Sequence, residues 1–500
     1  MSDTFSNLAF GFGIALTPEN LLFCLVGALL GTLIGVLPGL GPVATIAMLL
    51  PITFTLPPVA ALIMLAGLYY GAQYGGSTTA ILVNIPGESS SVVTCIDGHM
   101  LARKGRAGAA LTIAALGSFF AGSVSTAIVA AFSGPIVAVA DSFGSPDFFG
   151  LLVFGLVAAV VLAQGSVVRS IAMVVLGLAL GLVGTDIASG QTRFTFDLPA
   201  FADGIGFVPI AMGLFGVAEI IRNLEHTSGR PQRQAVTSLW PTREETKAAW
   251  PAVLRGTGIG SLLGVLPGGG ALVAAFAAYV LEKKVAKDPA RFGMGAVEGV
   301  AAPEAANNAG AQISFIPLLA LGIPPNAVMA LMLGAMTIHG IVPGPKVMVE
   351  RPDLFWGMIT SMWIGNLMLV IINLPLIRIW VMLLNVPYRW LYCAILIFSC
   401  IGVYTVNNSI TDILVMAVFG AIGYVLPKIG CEPAPLILGF ILGPMMEENF
   451  RRSLILSRGD WMIFLERPIS AGFLIVSALF LAVVLSPAIR RKREIAFQEA

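Results

Sequence analysis

Two stretches of this 500-residue chain place neutral hydrogen-bonding side chains inside otherwise apolar sequence. The first reads Gly71-Ala72-Gln73-Tyr74-Gly75-Gly76-Ser77-Thr78-Thr79 and continues to Asn84-Ile85-Pro86-Gly87-Glu88. The second reads Pro303-Glu304-Ala305-Ala306-Asn307-Asn308-Ala309-Gly310-Ala311-Gln312 and continues to Gly322-Ile323-Pro324-Pro325. Gly-Ala-Gln recurs at 71–73 and 310–312, and Ile-Pro at 85–86 and 323–324, so the polar region is duplicated. Carboxamide and hydroxyl groups donate well to carboxylate oxygens, and their own oxygens suit a hard cation such as Na+. In an apolar setting such groups need partners. Taken singly, each has a plain structural use: Ser and Thr bond back to their own helix, and Asn or Gln joins helices. Clustered and duplicated, Gln73, Ser77, Thr78, Thr79, Asn84, Asn307, Asn308 and Gln312 read as side chains that contact a ligand. Glu88 reads equally as a carboxylate at a helix N-terminus or as a group linked to a proton or cation. Glu298 and Glu304 read as residues of a solvated face. Glu219 and Glu447, beside Arg222 and Arg451, read as salt-bridged span ends.

A second duplication supplies the elements that position these groups. Gly27, Gly31 and Gly35 lead into Val36-Leu37-Pro38-Gly39-Leu40-Gly41. Nearly half a chain later, Gly256, Gly260 and Gly264 lead into Val265-Leu266-Pro267-Gly268-Gly269-Gly270. Glycines four residues apart make a smooth stripe on one helix face, where another backbone can approach closely. Proline then ends the helix, and a new apolar segment starts at once with unpaired N–H groups at its head. Inside a membrane those groups must face protein, a ligand or a wet cavity. Helix N-termini attract anions. Pro38, Gly39, Gly41, Gly268, Gly269 and Gly270 are therefore expected to line a site for an anion or its coupling cation. Backbone near Gly39 and Gly268 is where a Na+ would be accepted, and no other metal site is expected.

Composition narrows the setting. The chain is 57% hydrophobic and 11% charged, with mean hydropathy +0.91. Soluble domains carry about 25% charged residues, so this is an all-α polytopic membrane protein. A net charge of +1 gives no case for nucleic acid as a partner. The five cysteines show no paired metal spacing and the three histidines are scattered. No phosphate-binding loop, nucleophile elbow or His-carboxylate set appears, so neither an enzyme nor an organic cofactor is indicated. Residues 1–17 lack the basic start and cleavage site of a signal peptide, so the first apolar segment is expected to stay as a span.

Apolar windows predict about 12–14 membrane segments, some short enough to be re-entrant. Basic loops in one half, such as Arg103-Lys104 with Arg106, or Lys283-Lys284 with Lys287 and Arg291, fall mostly where the other half is not basic. By the positive-inside rule the halves then lie in opposite orientations, with the N-terminus periplasmic and the C-terminus cytoplasmic. The expected organisation is a first repeat at 18–225, a cytoplasmic linker at 226–249, an inverted second repeat at 250–455, and a final span with a basic tail at 456–500. Inverted repeats with broken helices are a common build of secondary transporters. A channel is the alternative, with flux indifferent to an ion gradient.

The motifs Leu37-Pro38-Gly39-Leu40-Gly41-Pro42, Tyr70-Gly71-Ala72-Gln73, Asn84-Ile85-Pro86-Gly87-Glu88, Leu266-Pro267-Gly268-Gly269-Gly270 and Pro303-Glu304-Ala305-Ala306-Asn307-Asn308 resemble the large membrane subunit of tripartite tricarboxylate transporters, the TctA family. The resemblance runs from about residue 18 to 455. It implies import of tricarboxylates or related carboxylates across the bacterial inner membrane, coupled to Na+ or H+. It also implies two partners: a small membrane subunit and a periplasmic solute-binding protein. No residue in the sequence selects one carboxylate. The symmetry departs at Pro42, whose counterpart is Ala271.

Overall fold

The computed structural model describes residues 2–37, 41–163, 166–186, 189–225, 236, 238–266, 270–383 and 388–485. The architecture is helical. Among the described residues the one strand pairing is a short antiparallel ladder joining Gly184 to Arg193 and Thr185 to Thr192. The principal helices are α1 (Ser2–Ala15), α2 (Pro18–Val36), α3 (Pro42–Thr53), α4 (Pro58–Val83), α5 (Val92–Leu101), α6 (Ala107–Ala140), α7 (Ser145–Leu162), α8 (Val167–Gly181) and α9 (Phe207–Glu225). They continue as α10 (Arg243–Leu263), α11 (Gly270–Val285), α12 (Glu298–Ile313), α13 (Ala327–Ile338), α14 (Pro352–Asn373), α15 (Tyr388–Asn407), α16 (Ile410–Lys428), α17 (Pro433–Leu456) and α18 (Pro468–Leu485). Six helices among the described residues are long and apolar enough to cross a membrane: α2, the stretch Ser89–Ala140, α9, α14, α16 and α18. Shorter apolar helices, α3, α8 and α13 among them, fill the space between.

Proline and glycine set most boundaries. Pro18, Pro42, Pro58, Pro352 and Pro433 stand in the first turn of their helices, where a missing N–H costs nothing. The basic turn at Arg103, Lys104 and Arg106 is made by Gly105, whose φ of 77° is open to glycine at little cost.

Three boundaries differ from the sequence expectation. Residues 2–15, given no element of their own by the apolar windows, form α1 and pack along α14. The long apolar run at 355–384 breaks after Asn373, where Pro375 cannot continue the helix, and resumes as a short helix Ile377–Leu383. The linker at 226–249 gives way to α10 at Arg243, because Thr242 and Glu245 form a reciprocal capping box. Residues 226–235 and the basic tail lie outside the described residues.

The glycine stripes do what their spacing predicts. A Cβ on Gly27, Gly31 or Gly35 of α2 would sit 2.1–2.2 Å from the carbonyl oxygens of Met64, Leu68 and Ala72 on α4. In return, Gly71 and Gly75 of α4 face the carbonyls of Ala28 and Thr32 on α2 at 2.6 and 2.4 Å. Gly256, Gly260 and Gly264 of α10 lie against the carbonyls of Ala302, Ala306 and Gly310 on α12, at 2.3–2.6 Å. Real Cβ atoms do not come so close, so each seam exists only with glycine there. α4 and α12, the partners of the two stripes, are also the helices that carry the duplicated polar motifs.

Candidate functional site

The site is built around α4 and α12, with α5 and α6 closing it. Glu304 of α12 is completely buried. Ser77 of α4 donates to its Oε2 at 2.5 Å, and Thr94 of α5 donates to its Oε1. The backbone carbonyl of Glu304 accepts from Ser118 of α6 at 3.2 Å and from the Asn308 amide at 3.1 Å. Asn308 also donates to Ser118 Oγ at 2.8 Å and to Asn307 Oδ1 at 2.7 Å. One carboxylate thus joins helices from both halves of the chain. The expectation of a solvated face for Glu304 is wrong for a physical reason: α12 is packed by α10, α11, α6 and α5 together, so it has no solvent side. Glu298, in the first turn of α12, is partly buried and not on a solvated face; it pairs with Arg291 at 2.6 Å. Glu219 and Glu447 pair with Arg222 and Arg451 at 3.0 and 2.7 Å, as expected of span ends.

α4, α12 and α14 also carry buried polar groups that make no close hydrogen bond. Gln73 of α4 and Gln312 of α12 are both fully buried, and neither carboxamide makes a close hydrogen bond, Gln73 having the Tyr69 hydroxyl in front of it. The Tyr70 and Tyr74 hydroxyls, Asn307 Nδ2 and the Asn366 carboxamide are buried and unpartnered as well. The Tyr69 hydroxyl faces Gln73, Ser314 and Asn326, and the Tyr70 ring packs on Phe315 at 6.0 Å between centroids. α4 therefore meets the end of α12 and the start of α13 through polar and aromatic side chains. Most buried polar groups in proteins are paired, and each exception calls for an explanation. Leaving one unpaired costs about 1–3 kcal/mol. A cavity of ≈ 20 Å³, room for about one water, is bounded by Tyr74, Ser77, Thr78, Ser118 and Asn373.

The remaining sequence-predicted residues divide. Thr78 lines that cavity while its hydroxyl donates back to the Tyr74 carbonyl at 3.3 Å. Thr79 donates to the Val36 carbonyl at 2.8 Å, so it closes the broken end of α2. Asn84 is exposed and ends α4 in the left-handed conformation at φ 58°. Gly41 stands in open space ahead of α3, whereas Gly270 packs against Gly264 of its own copy. Pro38, Gly39, Gly268 and Gly269 lie outside the described residues. Glu88 is half-buried; it accepts from Ser90, and its side chain lies against Gly76.

Two further groups escaped sequence reasoning. Asp97 of α5 is fully buried, and its Oδ1 accepts from the N–H groups of Gly293, Gly295 and Ala296 at 2.7–2.9 Å. Its Oδ2 accepts from the Tyr279 hydroxyl at 2.9 Å. Asp97 thereby pins the loop ahead of α12 to α5. A glycine-rich loop with Gly293 and Gly295 was the available signal, but its carboxylate partner is nearly two hundred residues away. Arg255 of α10 forms a two-bond pair with the buried Glu282 of α11, at 2.6 and 2.7 Å. Thr94 and Ser118 carried no motif.

Each of the two glycine-wedged helix pairs carries a buried Gly-Ala-Gln. The chain matches the tripartite tricarboxylate transporter TctA family over residues 21–438. It belongs to that family. It is 57% identical, over the whole length of both chains, to an uncharacterized 52.8 kDa protein in the TAR-I ttuC′ 3′ region of Agrobacterium vitis. It is also 57% identical over 240 residues, 48% of this chain, to an uncharacterized protein in the TAR-II ttuC′ 3′ region of that organism, covering 99% of the latter. No solved structure matches the chain. Family and helices together make this TctA-family chain a multi-pass membrane component of a tricarboxylate transporter.

Proposed function

We propose that this chain is the large transmembrane subunit of a carboxylate importer driven by a cation gradient, Na+ or H+. In this reading it is a carrier and not an enzyme. It works in the bacterial inner membrane with a small membrane subunit and a periplasmic solute-binding protein that delivers the substrate. Its halves lie in opposite orientations and expose the site to each side in turn. The supporting observation is the pair of buried carboxamides, Gln73 and Gln312, that make no close hydrogen bond within the fold. A carboxylate ligand offers the acceptors that these N–H groups lack, in a region too dry for bulk water to substitute. Alternate exposure of α4 against α12 would give a substrate anion access to both.

Uptake in proteoliposomes tests this. A panel of tri- and dicarboxylates is offered with imposed Na+ or proton gradients, with and without the binding protein. The proposal expects accumulation above equilibrium that requires a gradient and is stimulated by the binding protein. Flux that only equilibrates and ignores both would make the protein a channel.

A further inference from the structure

Glu304 is a carboxyl group with no counter-charge: among the described residues no basic side chain acts on it. The titratable groups that face it are Glu88, Tyr74 and Cys95, none of them cationic. On the other side of α12, Arg255 and Glu282 are spent on each other. An unpaired carboxylate in a dry interior is costly, so the group takes up a cation or a proton. The hydrogen-bond geometry distinguishes the two. Ser77 Oγ lies 2.5 Å from Glu304 Oε2 and 3.0 Å from the Gln73 carbonyl oxygen. A hydroxyl has one hydrogen, so Ser77 cannot donate to both acceptors. Both contacts are satisfied when Oε2 carries a proton, donates it to Ser77 Oγ, and Ser77 donates onward to Gln73. Thr94 meanwhile donates to Oε1. A second observation points the same way: Asn307 is fully buried, and its carboxamide lies against the Glu304 carboxyl.

We propose that Glu304 is the proton-binding group of this transporter and that Ser77 reports its state to the Gln73 turn of α4. When the proton leaves Oε2, the Ser77 hydrogen turns to the carboxylate and the Gln73 carbonyl loses that bond. Asn307 Nδ2 then gains an ionised acceptor. Protonation reverses each move. The water-sized cavity bounded by Ser77 and Ser118 adjoins two of the hydroxyls that surround Glu304. The inference rests on the carboxylate-importer reading and assigns its coupling ion.

The test uses the full chain with its partner subunits in liposomes holding a pH-sensitive dye. In the wild type, carboxylate uptake should acidify the lumen, and an inward gradient of one pH unit should support about tenfold accumulation per coupled proton. Glu304→Gln places an amide nitrogen where the protonated oxygen stood, so it should elute as a folded, monodisperse protein and lose both acidification and proton-driven accumulation. Glu304→Gln that still accumulates substrate on a proton gradient would overturn the assignment. So would wild-type uptake with a silent dye, which needs no variant to fold. A wild type that exchanges no carboxylate in counterflow would instead sink the importer reading itself.

Discussion

The two glycine seams begin alike and end differently. In the first copy, α2 and α4 interlock with glycines on both sides: Gly31 and Gly35 sit on Leu68 and Ala72, while Gly71 and Gly75 sit on Ala28 and Thr32. In the second, α10 supplies glycines but α12 answers mostly with alanine: Ala301, Ala302, Ala305, Ala306 and Ala309, all buried. After the breaks the paths part. α3 packs on α2, α4 and α9 of its own copy and also on α13 and α15 of the other, whereas α11 packs mainly against α10 and α12 and is tied to α10 by Arg255 and Glu282. α3 thus bridges the two copies, while most of α11's packing is within its own. A repeated sequence has thus produced a site whose two sides are not equivalent: α12 brings the carboxyl, and α4 and α5 bring its hydroxyl donors. The departure of Pro42 from Ala271 is where the sequence registers this divergence.

The largest effect should come from filling a seam. Gly31→Leu puts side-chain atoms where the Leu68 carbonyl stands, and packed backbones cannot retreat. No monodisperse protein should elute after detergent extraction. Gly258→Leu, on the same helix as the second stripe but facing open space, should elute as wild type. If both behave alike, the seams are not what holds the pairs.

A smaller effect should come from releasing α11. Glu282→Gln removes the charge from a buried two-bond pair, where each charge-assisted bond contributes about 1.5–3 kcal/mol. Limited trypsin digestion should then cut faster after Lys283 and Lys284, while the first copy's seam stays protected. Unchanged cleavage would mean that packing alone holds α11.

The smallest effect belongs to the half-exposed pair that joins the basic turn to the head of α10. Hydrogen bonding from Arg106 holds the Glu245 carboxyl below its ordinary range. A carboxylate with a depressed folded pKa contributes stability above its unfolded value, and that contribution is lost as pH falls through the folded one. Such a pair is worth about 0–1 kcal/mol. Glu245→Gln should therefore lower Tm slightly at neutral pH, and the gap to wild type should close on acidification below about pH 4. A gap that persists in acid would assign the loss to the helix cap.

Much of this was legible in the sequence, and the pattern of misses is informative. The glycine spacing gave away the seams because close approach has a one-residue signature. Apolar length gave most helices, but not α1, whose Ser2, Asp3, Thr4 and Asn7 dilute the signal. The sequence reading of Glu304 fails because a carboxylate between Pro303 and Ala305 looks solvated until the helices around it are known. Asp97 was invisible for a related reason: its partners are backbone N–H groups, which every sequence has everywhere. Thr79 and Asn84, singled out as polar, serve helix ends instead of the buried network.

In the proposed reading, Gln73 and Gln312 are held unpaired for a ligand. The most direct measurement follows Gln73→Leu and Gln312→Leu in parallel by thermal unfolding and by gradient-driven carboxylate uptake. An amide that serves only the ligand adds nothing to the fold, so leucine should leave Tm unchanged or raise it while uptake falls by about tenfold or more, the loss of one hydrogen bond to a charged group. Leucine variants that transport like wild type, or that lose uptake only because they unfold, would contradict the account.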